Sequence, residues 1–298
     1  MMIARSRQEL SRATANWRHA GERIGVVPTM GALHDGHLSL VDAARQVAER
    51  CIATIFVNPK QFNNSDDLAR YPRTEADDIA KLATRNVDIV YIPDPAEIYP
   101  DGFATTVSVT GVSEGLCGAS RPGHFDGVAT VVAKLLLQTR ADFAFFGEKD
   151  FQQLQVIRRL ARDLDLPVKI LGCPIVRGPD GLALSSRNTR LSVGALHKAA
   201  VLYRALREAA ARIAAGESAD IPLRTAAAVI LASGFSAIDY IELCAEDDLM
   251  PLAAATRPAR ILCAAWLDRV RLIDNVALDD LLPAEPITAH LKERLANA

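Results

Sequence analysis

Short apolar runs rich in β-branched residues alternate with longer amphipathic stretches through the first 180 or so residues. The runs cover 24–28, 52–57, 87–92, 143–146 and 168–176, and the stretches between them, 38–50, 75–85, 128–138 and 151–164, have the length of crossover helices. Such alternation predicts a parallel sheet with helices on its faces, because parallel neighbours need a long crossover and are covered on both sides. Residues 105–109 read as one more short strand. Past Arg177-Gly178-Pro179-Asp180-Gly181 the character changes. Alanine-rich helical sequence covers 193–216 and 222–233, and 237–244 and 260–272 read as strands of a small antiparallel sheet. The expected fold is α/β, with a Rossmann-like parallel-sheet domain over 1–176 and a smaller C-terminal α+β domain over 177–298. A cleft between two such units is a natural ligand site.

The composition narrows the function classes. A chain of 298 residues with 50% hydrophobic content can build two ordinary cores. The net charge of -2 supplies no broad basic field, which argues against a nucleic-acid partner. No apolar run approaches the ~20 residues of a membrane span. The five cysteines are odd in number, widely spaced and without a CxxC pair, as expected of reduced core residues in a cytoplasmic protein. Glu9 and the lack of an apolar segment argue against a signal peptide at the Arg-rich N-terminus.

Candidate chemistry concentrates at the ends of the strand-like runs. In 27–40 an apolar strand meets an amphipathic helix through a turn with Gly31, His34, Gly36 and His37. Glycines let backbone approach a ligand, and free N–H groups at a helix start favour an anion. The two histidines also suit half of a metal site, but Asp35 would point away from their shared face. GxGxxG and GxxxxGK[ST] are both absent, which disfavours dinucleotide and P-loop enzymes. Gly147-Glu148-Lys149-Asp150 opens another helix at a strand end. Either Lys149 pairs a phosphate and Asp150 holds Mg²⁺, or the three charges form a solvated helix cap. Asn58-Pro59-Lys60-Gln61 is either an ordinary polar turn or a place where Gln61 meets a hydroxylated or carboxylated ligand. The glycine-rich 118–127 loop, with Arg121 and His124, is a lid or a long turn. In Leu184-Ser185-Ser186-Arg187 the hydroxyls and guanidinium suit a polyphosphate, or a serine caps the next helix.

Taken in order, PTMGALHDGH, FVNPKQF, RYPRT, GASRPGHFDGV, FFGEKDFQQL and DGLALSSRN resemble the pantothenate synthetase (pantoate–β-alanine ligase) family from about residue 3 to residue 280. The resemblance implies a cytoplasmic homodimer of vitamin B5 and coenzyme A synthesis. It implies ATP-dependent joining of pantoate to β-alanine with Mg²⁺, through an enzyme-bound pantoyl adenylate, releasing AMP and pyrophosphate. It places Met30 to His37 on ATP, with His37 as catalytic acid and His34 beside it on the phosphates. Gln61 and Gln153 would hold pantoate, with Gln61 also near β-alanine. Gly147 to Asp150 and Val176 would border the nucleotide, and Leu184 to Arg187 would close over its phosphates. Attack of one anion on another calls for cations and fixed donors, which His34, His37, Lys149 and Arg187 supply. Lys60 stands where the family is associated with an uncharged residue, and 63–66 is atypical; both bear on pantoate affinity. Two other classes stand beside this one: another adenylyl transferase of the wider superfamily, and a nucleotide-binding module without turnover. A tRNA synthetase would need a basic anticodon-binding domain and a KMSKS-like lysine pair, which this chain lacks.

Overall fold

Six apolar segments pair in parallel as β1 (Met2–Ala4), β2 (Ile24–Thr29), β3 (Arg50–Ile55), β4 (Ile89–Tyr91), β5 (Phe143–Gly147) and β6 (Lys169–Cys173), in the order β1-β4-β3-β2-β5-β6. The computed structural model describes residues 1–63 and 65–279. From β2 the chain builds outward through β3 and β4, then returns to add β5 on the other flank. Strand order thus reverses between β2 and β5, which opens a crevice at their carboxyl ends. Close packing draws helix Asp35–Val47 onto this centre. A Cβ on Gly25 of β2 would lie 3.2 Å from Phe145 and 3.3 Å from Ala44 and Ala48.

Two strand expectations are corrected. Residues 105–109 form no strand; their alternating threonines and serine face outward, and Val107 N–H donates to Thr130 Oγ1 (2.9 Å) instead of to a ladder. The run 260–272 is two strands, β8 (Ala259–Leu267) and β9 (Val270–Ala277), with Asp268 and Arg269 both left-handed (φ 51° and 61°). Two successive residues of this kind make the tight turn whose twist suits a hairpin. The run 168–176 yields strand only to Cys173, since Pro174 has no N–H for the ladder. Unexpected from the pattern are β1 and helix Arg7–His19. That helix starts with a capping box in which Ser6 accepts from Glu9 N–H and Glu9 from Ser6 N–H.

With β7 (Ala237–Ala245), β8 and β9 make an antiparallel sheet. Helices Val201–Ala214 and Asp220–Ala232 cover one face, where Leu206, Ile213, Ile230, Ile261 and Cys263 form a core. The opposite face joins the larger core: Cys244 and Leu262 pack with Phe151 and Leu154 of helix Phe151–Asp163. The second unit is therefore docked through a sheet face. Strand β6 ends at Cys173, and the second core begins at Leu182. Residues 280–298 of the expected C-terminal domain lie outside the described residues. All five cysteines are buried, and none is in a disulfide.

Candidate active site

The turn after β2 is built by long-range hydrogen bonds as well as by its own residues. Gly31 (φ 81°) and Ala32 (φ 53°) are both left-handed, an arrangement that aims successive N–H groups inward. Asp78, fully buried on helix Glu75–Ala83, accepts from Ala32 N–H (2.9 Å) and Leu33 N–H (2.7 Å), and Lys81 Nζ donates to the Leu33 carbonyl (2.7 Å). His34 then caps helix Asp35–Val47, its Nδ1 accepting from Gly36 N–H at 3.1 Å. His37 Nδ1 lies 3.4 Å from His34 N–H, so the histidines cap the helix reciprocally. Gly36 is required by this stack, because a Cβ there would lie 2.9 Å from the His34 ring. With each Nδ1 accepting, each neutral ring carries its proton on Nε2, the end left for a ligand. The ring centroids are 4.1 Å apart. Burial, then Lys149, pushes the His34 pKa down to about 4; burial, then His34, pushes His37 down to about 3.

The facing wall comes from β5 and from the second unit. Glu148–Asp150 form a short turn whose carbonyls at 148 and 149 accept from Asn275 Nδ2, both at 2.9 Å. Arg260, 2% exposed, lies over the Phe151 ring and bonds Glu148 (3.4 Å), Glu246 (3.0 Å) and Asn275 (2.6 Å). Lys149 and Asp150 are 3.7 Å apart. Enclosure by the cleft walls opposes ionisation of Asp150, but Lys149 and Arg187 outweigh it and hold its carboxyl below the usual range. Ser185 caps the short turn Ser186–Arg190 by accepting from Arg187 N–H, so the capping role is real. Arg187 and Arg190 share Asp67 at 3.2 and 2.5 Å, and Tyr71 Oη lies 3.4 Å from Ser186 Oγ.

A third strand end supplies Gln61. Asn58 Nδ2 donates to Gln61 Oε1 and to the Gly127 carbonyl, both at 3.0 Å, while Tyr99 Oη donates to Asn58 Oδ1 (2.7 Å). The 60–61 backbone rests on helix His124–Thr139 at Gly127, where a Cβ would meet the Lys60 carbonyl at 2.3 Å. His124 Nδ1 and Arg121 both reach the Gln61 carbonyl, at 2.8 and 3.1 Å. The 118–127 segment is not an open loop: it holds part of helix Cys117–Ser120 and the first turn of helix His124–Thr139.

These walls enclose one cavity of about 200 Å³. Met30, His34, His37, Gln61, Gly147, Lys149, Asp150, Gln153, Val176, Leu184, Ser185, Ser186 and Arg187 all line it. Gly31 and Glu148 do not: Gly31 packs on Asp78 and Ile55, and Glu148 turns toward Arg260. Their contribution is to shape the turns that carry the others. Lys60 also faces away, its ammonium over the Tyr99 and Phe103 rings. Within 63–66, Asn63 donates to the Pro122 carbonyl (2.6 Å), Ser65 and Asp66 begin helix Ser65–Ala69, and Asn64 lies outside the described residues.

The family model for pantoate–β-alanine ligase matches residues 2–277. The chain belongs to the pantoate–β-alanine ligases. It is 62% identical to the pantothenate synthetase of Chelativorans sp. over 92% of this chain and 96% of that one, and 58% identical to that of Ruegeria pomeroyi over 94% and 98%. The pantothenate synthetase structure from Thermus thermophilus superposes with a TM-score of 0.89 at 44% identity, over 93% of this chain and 99% of that one. The Francisella tularensis pantoate–β-alanine ligase, complexed with β-γ ATP and β-alanine, superposes with a TM-score of 0.80 at 36% identity, over 94% and 98%. Membership makes this protein an enzyme, a ligase of pantothenate synthesis.

For a pantoate–β-alanine ligase, the residues that sequence reading missed are the supports: Asp78, Asn58, Arg260 and Asn275. Asn58 had a signal, standing just before Pro59 at a strand end where side chains cap turns. The others had none, because the residues of the site turns that they hold lie 45 to 127 residues away.

Proposed function

We propose that this cavity joins pantoate to β-alanine in two steps on ATP, with the β2 wall and the cationic wall acting on one triphosphate. The observation that carries this is the convergence of two neutral Nε2–H donors and two cations, Lys149 and Arg187, on one cavity at the crevice between β2 and β5. In the first step a pantoate carboxylate oxygen attacks the α-phosphorus, the bond to the β-phosphate oxygen breaks, and pyrophosphate leaves. His34 and His37 donate to phosphate oxygens, while Lys149 and Arg187 neutralise the charge that collects on them. In the second step the β-alanine amine attacks the acyl carbon, the bond to AMP breaks, and the amide forms as the amine loses a proton. Gln61 and Gln153 offer pantoate paired donors and acceptors, beside an apolar wall of Val128, Val131 and Val132 that suits its two methyl groups.

Among the described residues no group of three or more His, Cys, Asp or Glu is arranged to hold a metal ion. Asp150, its side chain 49% exposed to the cleft, fits a Mg²⁺ held by one carboxylate and ATP oxygens, the common arrangement for that ion. Bound there, Mg²⁺ would neutralise phosphate charge. Leu184 to Arg187, in the part proposed as the domain 177–298, cover the phosphates and shield the adenylate from water. A cytoplasmic homodimer is part of the same reading.

Pyrophosphate exchange into ATP tests it. Exchange that requires pantoate, followed by AMP release on adding β-alanine, is the expected result. Exchange independent of pantoate, or no AMP with β-alanine, overturns it.

A further inference from the structure

The cleft holds a second space, of about 280 Å³, which shares Lys149, Asp150, Ser185 and Arg187 with the first. Guanidinium groups crowd its wall. Arg187 and Arg190 are paired with Asp67, and Arg271 with Asp239, while Arg70 and Arg269 are exposed to solvent. Arg121 alone among these is partly buried with no carboxylate partner among the described residues. Its contacts are neutral: NH1 lies 3.1 Å from His124 Nε2, and NH2 donates to the Gln61 carbonyl at 3.1 Å. A guanidinium has five N–H donors, so three remain for a ligand.

Electrostatics point the same way. Burial, then Arg187 and Arg271, lowers the Arg121 pKa against the opposing pull of Cys117 and Asp67, yet an arginine stays charged. A cation in such surroundings gains from a matching carboxylate, which the fork of the guanidinium can hold through two hydrogen bonds. A smaller space of about 40 Å³, lined by Arg121, His124, Lys149, Asp150, Gln152 and Gln153, links Arg121 to the residues beside the proposed adenylate.

We propose that the second space admits the amine substrate and that Arg121 binds its carboxylate, selecting a short ω-amino acid over an amine without a carboxylate. The proposal rests on the two-step ligation above. Held by its carboxylate, β-alanine presents its amine toward the acyl carbon, where the lone pair forms the C–N bond as AMP departs. Adenylation needs no amine, so Arg121 enters that step only through its contact with the Gln61 carbonyl.

The test uses the full chain with Arg121→Gln and Arg121→Lys, read by pantoate-dependent pyrophosphate exchange and by amide formation with β-alanine or propylamine, which matches it in length but lacks the carboxylate. For Arg121→Gln the β-alanine KM should rise about 10²-fold, whereas kinetics with propylamine should change no more than pyrophosphate exchange does, because only the carboxylate loses a partner. Exchange should fall by less than about tenfold, and Arg121→Lys should recover part of the β-alanine KM. Equal losses in exchange and in β-alanine ligation would overturn the proposal and leave Arg121 as a support of Gln61. An unchanged β-alanine KM in a folded variant would overturn it as well. Wild-type protein lacking pantoate-dependent exchange is a separate outcome, which removes the ligation reading itself.

Discussion

On the β2 side of the cleft the donors are neutral imidazoles held by backbone, whereas on the facing side they are permanent cations held by ion pairs and by the second unit. His34 and His37 stand 4.1 Å apart, a spacing that two cations would resist. Keeping them uncharged lets two directed N–H donors share a small space, and locking each Nδ1 on an N–H fixes where the donors point. Lys149 and Arg187 instead supply charge, and direction comes from their anchors. The contrast separates two needs of the proposed phosphoryl chemistry, rigid aim and neutralisation, and assigns each to a different part of the chain.

Removing an aimed donor should cost most. His37→Ala is expected to lower pantoate-dependent exchange roughly 10²- to 10³-fold, the size seen for one oxyanion-type donor; a near-normal rate would refute its role. Next is Asp78→Ala, which leaves the Ala32 and Leu33 N–H groups without their acceptor. Each orphaned N–H costs about 1–3 kcal/mol, so the urea midpoint should fall clearly, and exchange should drop up to about 10²-fold as the turn loses its aim. Asp78→Asn, which keeps one acceptor oxygen, should lie between the two. Equal activity in all three proteins would mean that the turn holds its shape unaided.

Acid should weaken the β2 side through its histidines. His34, His37 and His124 have folded-state pKa values pushed below the ordinary 6.5, to about 4, 3 and 3, with burial the leading cause in each. The unfolded chain therefore takes up their protons first as pH falls. Their contribution to stability is complete above pH 6.5 and is lost as pH drops toward those folded values. For His124, which is 7% exposed, the loss between pH 6.5 and 5 is on the order of 2 kcal/mol. Urea unfolding at the two pH values measures it, and His124→Gln should flatten the slope. The smallest effect belongs to the charged side. Asp67→Asn loosens Arg187 and Arg190, a pair of partly exposed bridges each worth at most about 1 kcal/mol. The ATP KM should rise less than about tenfold with kcat nearly kept, and a large fall in kcat would show that Asp67 does more than tether.

Much of the layout was legible because it is local. Strand runs, crossover helices and the motif at each strand end are written in neighbouring residues, so all but two of the candidate residues line the cavity. The exceptions are instructive. Gly31 and Glu148 belong to the right motifs, but a turn of a few residues needs some members to carry the backbone while others face the ligand. Lys60 looked out of place beside Gln61, yet successive residues of a short turn point in different directions, and its charge rests on Tyr99 and Phe103. The N-terminal capping box was present as Ser6-x-x-Glu9, but a three-residue strand is too short to show a period.

The sequence by itself determined the alternating elements, the helix-opening turns, the family and the kinds of chemical groups at the cleft. Those properties depend on side chains only a few positions apart. Only the tertiary structure decided that Asp78 holds the β2 turn, that Arg260 and Asn275 hold the β5 turn, and that Arg121 lines a second space with no carboxylate bonded to it among the described residues. Each of these couples residues distant along the chain, and a buried polar group reveals its partner only when folding brings the two within hydrogen-bond reach.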